Sequence, residues 1–224
     1  NQLNSLDVTQ NTVLETLLCY QNQLTSLDVT QNVALRNLRC GYNQLTSLDV
    51  SQNEALKVLD CYINQLTSLN ITQNMALESL FCFENQLTIL DVTQNIALDY
   101  LSCSNNQLTS LDVSQNVALM ELECSNNQLS SLDVTQNVAL NTLHCMDNQL
   151  TNLDFSQNSY LDYLICSNNF LETLHIKNGN LIYYLTLDFS NNSNLQYICI
   201  DEEEIDIVQQ KINDYGYTST CHVN

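Results

Sequence analysis

Apolar residues recur along this chain in two alternating signatures. The first reads L-x-x-L-x-C, as in Leu35, Leu38 and Cys40; the second reads L-x-x-L-x-V, as in Leu45, Leu48 and Val50. The last three positions of each have the two-residue alternation of a strand, which puts every second side chain on one face. Short polar turns separate them, N-Q after the first signature and T-Q-N or S-Q-N after the second. The pair fills 21 residues and begins again, so that Cys19, Cys40, Cys61, Cys82, Cys103, Cys124, Cys145 and Cys166 are evenly spaced. A fixed period in the range of about 20 to 29 residues predicts a solenoid, each repeat forming one coil stacked on the last. At a strand spacing of about 4.8 Å, eight coils extend roughly 40 Å.

Leu35, Leu38, Cys40, Asn43 and Leu45 fill the pattern of the leucine-rich repeats. The segment resembles the 21-residue, cysteine-bearing repeats of internalin-like surface proteins, and the longer consensus N-Q-L-T-S-L-D-V-T-Q-N-x-A-L resembles exported leucine-rich-repeat proteins of Bacteroidetes and flavobacteria. Residues 1–176 carry the likeness. It implies an α/β solenoid, a right-handed coil with a parallel concave β-sheet and a mostly irregular convex side, closed by a short C-terminal helix. Residues 177–224 are expected to form an irregular last repeat and cap. The implied setting is the outer surface of a bacterium or its secretions. The chain opens at Asn1, Gln2 and Leu3, in mid-repeat, and is expected to be a mature or trimmed piece of a longer protein.

Residues 34–54 serve as the type coil. Leu35, Leu38 and Cys40 point inward while Asn37, Arg39 and Gly41 point outward. Asn43 recurs as Asn22, Asn64, Asn85, Asn106, Asn127, Asn148 and Asn169. A buried amide in a turn needs partners, and the backbone of neighbouring coils would supply them. Asn53 closes the second corner. Asp49 faces outward and repeats as Asp7, Asp28, Asp91, Asp112, Asp133 and Asp154, with Asn70 in one place of the column. Each carboxylate is expected to bond the Thr/Ser-Gln-Asn turn that follows it. Calcium is the rival reading, but one carboxylate per coil is a thin coordination shell and Asn70 interrupts it.

With 25 Asp and Glu against 5 Lys and Arg, a net charge of −20 argues against nucleic acid and against an anionic membrane surface. No apolar stretch is long enough for membrane insertion. Ten cysteines without a C-x-x-C pair, and three histidines, do not make a zinc site. The eight spaced cysteines face inward and are expected to pack as free thiols. With three glycines and no G-x-S-x-G, H-E-x-x-H or phosphate-binding loop, neither catalysis nor a cofactor is expected.

The outward strand positions are those that packing leaves free. Tyr20, Tyr42, Tyr62, Phe81, Phe83 and Tyr100 fall on or beside the concave strands of the first five coils, and Glu121, Glu123 and His144 follow further along. Exposed aromatics grouped on one face are enriched at binding surfaces. These nine residues are the expected ligand-binding surface of a non-catalytic, monomeric recognition or adhesion module that holds a protein or a carbohydrate. The alternative is a rigid spacer within a larger surface protein. His144 beside Glu123 is an incomplete ligand set for a metal.

The period breaks after Leu174. Placing Leu195, Ile198 and Ile200 on L-x-x-L-x-C turns Cys199 outward, away from the ladder. Ile205, Val208 and Ile212 recur at helical spacing after the acidic run Asp201 to Glu204, with Gly216 as a stop. The expected cap is this amphipathic helix, with Cys199 and Cys221 joined as its disulfide. The order I-K-N-G-N, then N-L-x-x-I-C-I and a final cysteine, also resembles the ends of the flavobacterial proteins, where a sorting domain often follows.

Overall fold

The computed structural model describes residues 1–180, 186–217 and 220–221, with the side chains of 1–180 and 187–217. Short strands recur once per coil: β1 (Thr16–Leu18), β2 (Asn37–Arg39), β3 (Val58–Asp60), β4 (Ser79–Phe81), β5 (Tyr100–Ser102), β6 (Glu121–Glu123) and β7 (Thr142–His144). They continue as β8 (Asn152–Asp154), β9 (Tyr163–Ile165), β10 (Thr173–His175), β11 (Thr186–Asp188), β12 (Tyr197–Cys199) and β13 (Thr220–Cys221). Strands β1 to β7, β9 and β11 form one parallel nine-stranded concave sheet, in a register that pairs Leu17 with Leu38 and Leu38 with Leu59. The inward leucine of each strand, the cysteine two positions on and the Leu-x-x-Leu-x-Val return leg fill one continuous core.

Cys40 through Cys166 of the ladder are fully buried, Cys19 nearly so, and all eight are free thiols. Burial pushes the Cys103 thiol up to about 12, so it stays protonated and unreactive at neutral pH. Cys103→Ser is expected to cost roughly 1 to 3 kcal/mol by placing a hydroxyl in a dry stack, and Cys103→Ala less. Denaturant melts giving equal stability for wild type and the serine variant would contradict it.

Both corners are held by stacked amides. At the first, Asn106 Nδ2 donates to the carbonyls of Cys82, Cys103 and Ser104 at 3.1, 3.0 and 3.3 Å, and its Oδ1 accepts the Leu87 N–H at 3.0 Å. The residue before each asparagine of this column takes a left-handed conformation, φ 55° at Asn105, which turns the chain out of the strand. The second corner has a ladder of its own: Asn116 Nδ2 bonds the Val92 and Asn95 carbonyls at 3.0 and 2.8 Å. The aspartate column behaves as its sequence suggests. Asp91 Oδ1 accepts from the Thr93 N–H at 3.0 Å and its hydroxyl at 2.7 Å, and Asn70 takes the same bonds from Thr72. Those two bonds hold the Asp91 carboxyl below its ordinary value despite its row of like charges.

The last turn departs from the sequence reading. The Y-I-C strand was expected on the concave face, but β12 pairs with β10, which pairs with β8, in a separate parallel sheet on the convex side that β13 completes as its fourth strand. The concave place is taken by β11, whose Thr-Leu-Asp-Phe looks like a convex return leg. Phe189 fills the cysteine position and Asn192 the asparagine position, bonding the Cys166, Phe189 and Ser190 carbonyls. The convex side is irregular through the first six coils and regular only where these strands pair.

Ile198 and Ile200 are fully buried in the core, and Cys199 lies outside that core cluster as expected but is itself buried, at 9% exposure, rather than turned to solvent. Cys199 stands as a free thiol, and the side chain of Cys221, its expected partner, lies outside the described residues. The cap helix α1 spans Ile205–Asp214 and buries Val208 and Ile212. It stops at Gly216, φ 73°, whose N–H bonds the Asn213 carbonyl. Beyond it the Tyr217 hydroxyl donates to the Phe189 carbonyl at 2.8 Å and accepts the Asn192 N–H at 2.7 Å. One phenol thereby supplies contacts that, in earlier coils, come from the coil that follows.

Candidate functional site

The repeated frame fixes the inward positions and presents three outward columns on the concave face. The first runs through position one of each strand, the second through position three, and the third through the residue after the cysteine. Because equivalent residues lie one strand spacing apart, about 4.8 Å, side chains in a column meet their neighbours directly.

Four of the nine expected site residues join into two stacks. Tyr62 and Phe83 lie ring on ring with centroids 4.6 Å apart and planes 3° from parallel. Phe81 and Tyr100 stack at 4.7 Å and 29°, across two columns. Glu123 is tied beside the second stack: Ser102 Oγ donates to its Oε2 at 2.8 Å, and the Tyr100 phenol is pushed up to about 12, first by burial and then by this carboxylate. Tyr20 stands at the N-terminal end of the face, 44% exposed. Tyr42 does not join them. It occupies the left-handed corner, φ 58°, and makes none of the ring stacks. Glu121 is exposed, and His144 lies directly across from Glu123 in register. Among the described residues no group of three or more His, Cys, Asp or Glu is arranged to hold a metal ion.

Sequence reasoning missed Asp60. It faces outward on β3 between Arg39 and Phe81, yet it is only 8% exposed. Burial pushes its carboxyl up to about 6, against the opposing pull of Arg39 and a backbone hydrogen bond from Tyr62. It lines a hollow of about 320 Å³ with Thr16, Leu18, Tyr20, Asn37, Arg39 and Tyr62. Gly41, the glycine of the third column, was the available signal: its position elsewhere carries a side chain.

A raised folded value means that Asp60 favours folding while protonated. Its contribution is whole below about pH 4 and is lost as pH rises through about 6. The expected cost of ionising it is about 1 kcal/mol, because solvent at the rim screens the charge. Chemical melts of wild type and Asp60→Asn between pH 4 and 8 check this. The variant should gain relative stability as pH rises, and parallel curves would contradict the burial.

No protein-family model matches the sequence, and no curated protein matches it. Among solved structures, the functional domain of InlJ from Listeria monocytogenes, described as including a cysteine ladder, superposes with a TM-score of 0.75 at 38% identity, over 91% of this chain and 47% of that one. A leucine-rich-repeat protein of Leptospira interrogans gives 0.74 at 26% identity, over 100% of this chain and 58% of that one. The leucine-rich-repeat ectodomain of the Arabidopsis thaliana receptor kinase GASSHO1/SCHENGEN3, solved with Casparian strip integrity factor 2, gives 0.69 at 23% identity over 84% of this chain and 24% of that one, a likeness of fold alone. The chain spans about half the length of the two bacterial structures.

Proposed function

We propose that this chain, a leucine-rich-repeat solenoid with a cysteine ladder, is a non-catalytic recognition module that holds its ligand on the N-terminal half of the concave face. One observation carries the reading: the frame repeats almost unchanged, while the outward columns of coils one to five gather stacked rings that the core does not need. Rings already packed on one another lose little freedom when a ligand covers them, which makes them efficient anchors. The 38% identity to the InlJ functional domain of Listeria monocytogenes, which includes a cysteine ladder, supports an exported, adhesive role. The N-Q-L-T-S-L-D-V-T-Q-N consensus supports a flavobacterial kind of source.

Binding of the purified chain to immobilised glycans and to host or neighbouring-cell surfaces tests the reading. Tyr62→Ala or Phe81→Ala is expected to weaken that binding by roughly 1 to 3 kcal/mol, since a few desolvated aromatic anchors carry most of an interface. Asp112→Asn, on the convex column, is expected to leave it unchanged. Binding lost with Asp112→Asn alone would move the site to the other face, and binding to neither surface would defeat the reading.

A further inference from the structure

The hollow between the first and third coils differs from the rest of the concave face in its walls and its unmet hydrogen bonds. Gly41 lies beneath its Asp60 and Tyr62 side. A Cβ there would stand 2.5 Å from Asp60 Oδ1 and 2.9 Å from Tyr62 Cε1, so glycine is what lets the carboxylate and the ring close over β2. Tyr20 and Leu18 form one wall, Tyr62 and Asp60 the other, and Asn37 and Arg39 rise from between them. Phe83 backs the Tyr62 ring and fixes its angle.

Two acceptors of this hollow, Asn37 Oδ1 and Asp60 Oδ1, are buried with no hydrogen-bond partner. Most other such atoms among the described residues belong to the second-corner asparagine ladder, whose amides are fixed by their stack. Asn37 and Asp60 belong to no ladder. Inside the protein Asp60 is met only by the Tyr62 backbone N–H and the pull of Arg39, which leaves its Oδ1 and that of Asn37 with acceptor capacity to offer a ligand.

The ligand therefore brings donors and a surface suited to aromatic walls. An ammonium group would meet both needs but would face Arg39 inside the hollow, with Arg36 and Lys57 on the same coils; these are three of the five Lys and Arg in the chain. A neutral polyol meets no such opposition, because each hydroxyl donates to one group and accepts from another. Its oxygens accept from Arg39 and Thr16, which line the same hollow. At about 320 Å³ the hollow is at the small end of the roughly 300–1,000 Å³ typical of small-molecule sites, the scale of one ring.

Resting on the concave-face reading above, we propose that this hollow seats a single sugar residue of a neutral glycan. Its hydroxyls donate to Asp60 and Asn37 and accept from Arg39, and its apolar ring face lies against Tyr20 or Tyr62. Asp60 is the specificity-determining group.

An array of neutral and sialylated glycans, with a lysine-rich peptide in a parallel lane, tests this on wild type, Asp60→Asn, Gly41→Ala and Asp112→Asn. Neutral glycans are expected to bind wild type and Asp112→Asn, and to lose at least tenfold in affinity with Asp60→Asn and with Gly41→Ala, whose new Cβ displaces the carboxylate. Asp60→Asn should melt no lower than wild type at neutral pH, so its loss of binding is not unfolding. Absence of neutral-glycan binding, or binding undiminished in both hollow variants, overturns the proposal. Peptide binding lost with Asp60→Asn replaces the sugar by a cationic partner and leaves the concave-face reading standing. Glycan binding lost with Asp112→Asn but kept with Asp60→Asn defeats both.

Discussion

Asn106→Ala is expected to lower stability by about 3 to 5 kcal/mol, the largest loss from any single polar side chain in the solenoid. The amide makes four hydrogen bonds that no water can replace: three carbonyls, of Cys82, Cys103 and Ser104, accept from it, and the Leu87 N–H donates to it. Alanine leaves these backbone groups buried or poorly paired across two adjacent coils. Asn106→Asp should fail as well, since it keeps an acceptor for Leu87 but turns a carboxylate toward the other carbonyls. Denaturant melts measure the loss. A cost under about 1 kcal/mol for the alanine variant would show that the corner re-forms its hydrogen bonds without the ladder.

Phe189→Ala is expected to cost about 3 to 5 kcal/mol, in the range for removing a fully buried aromatic ring. Phe189 lies in the position that cysteine fills in the earlier coils, but the coil that would cover it is replaced by the cap. Tyr215 meets it edge-on at 5.2 Å between ring centroids, and Tyr217 stacks on it at 6.0 Å. Its carbonyl also holds the Tyr217 hydroxyl. The variant should therefore loosen the cap first, seen as a lost near-ultraviolet tyrosine signal before the repeats melt. Unchanged stability would mean that β11 does not occupy the concave place.

The outcome at each expected site residue follows the kind of information that fixes it. The nearness of Tyr62 and Phe83 was legible because a period of 21 makes columns that bring equivalent side chains within ring-stacking distance, whereas Phe81 and Tyr100 meet across two columns, which the period alone does not show. Tyr42 lies beside its strand as expected but apart from the two stacks, because it sits at a left-handed corner and alternation alone does not mark where a strand ends. Asp60 was overlooked because an outward position reads as exposed. Its burial comes from Gly41 one coil away and Tyr62 folding over it, a relation between coils.

The sequence by itself determined the solenoid, the inward cysteine and leucine columns, the first asparagine ladder and the helical cap. Each of these repeats a local rule, an inward side chain every second residue or a paired amide every 21, and repetition makes the rule visible. Only the tertiary structure decided the exchange of faces in the last turn and the hollow beneath Tyr62. Thr-Leu-Asp-Phe and Tyr-Ile-Cys-Ile both satisfy strand alternation, so local pattern assigns neither to a sheet. The longer connection after β10 and the fit of Phe189 against Tyr215 and Tyr217 decide between them, and both are properties of packing across the coil.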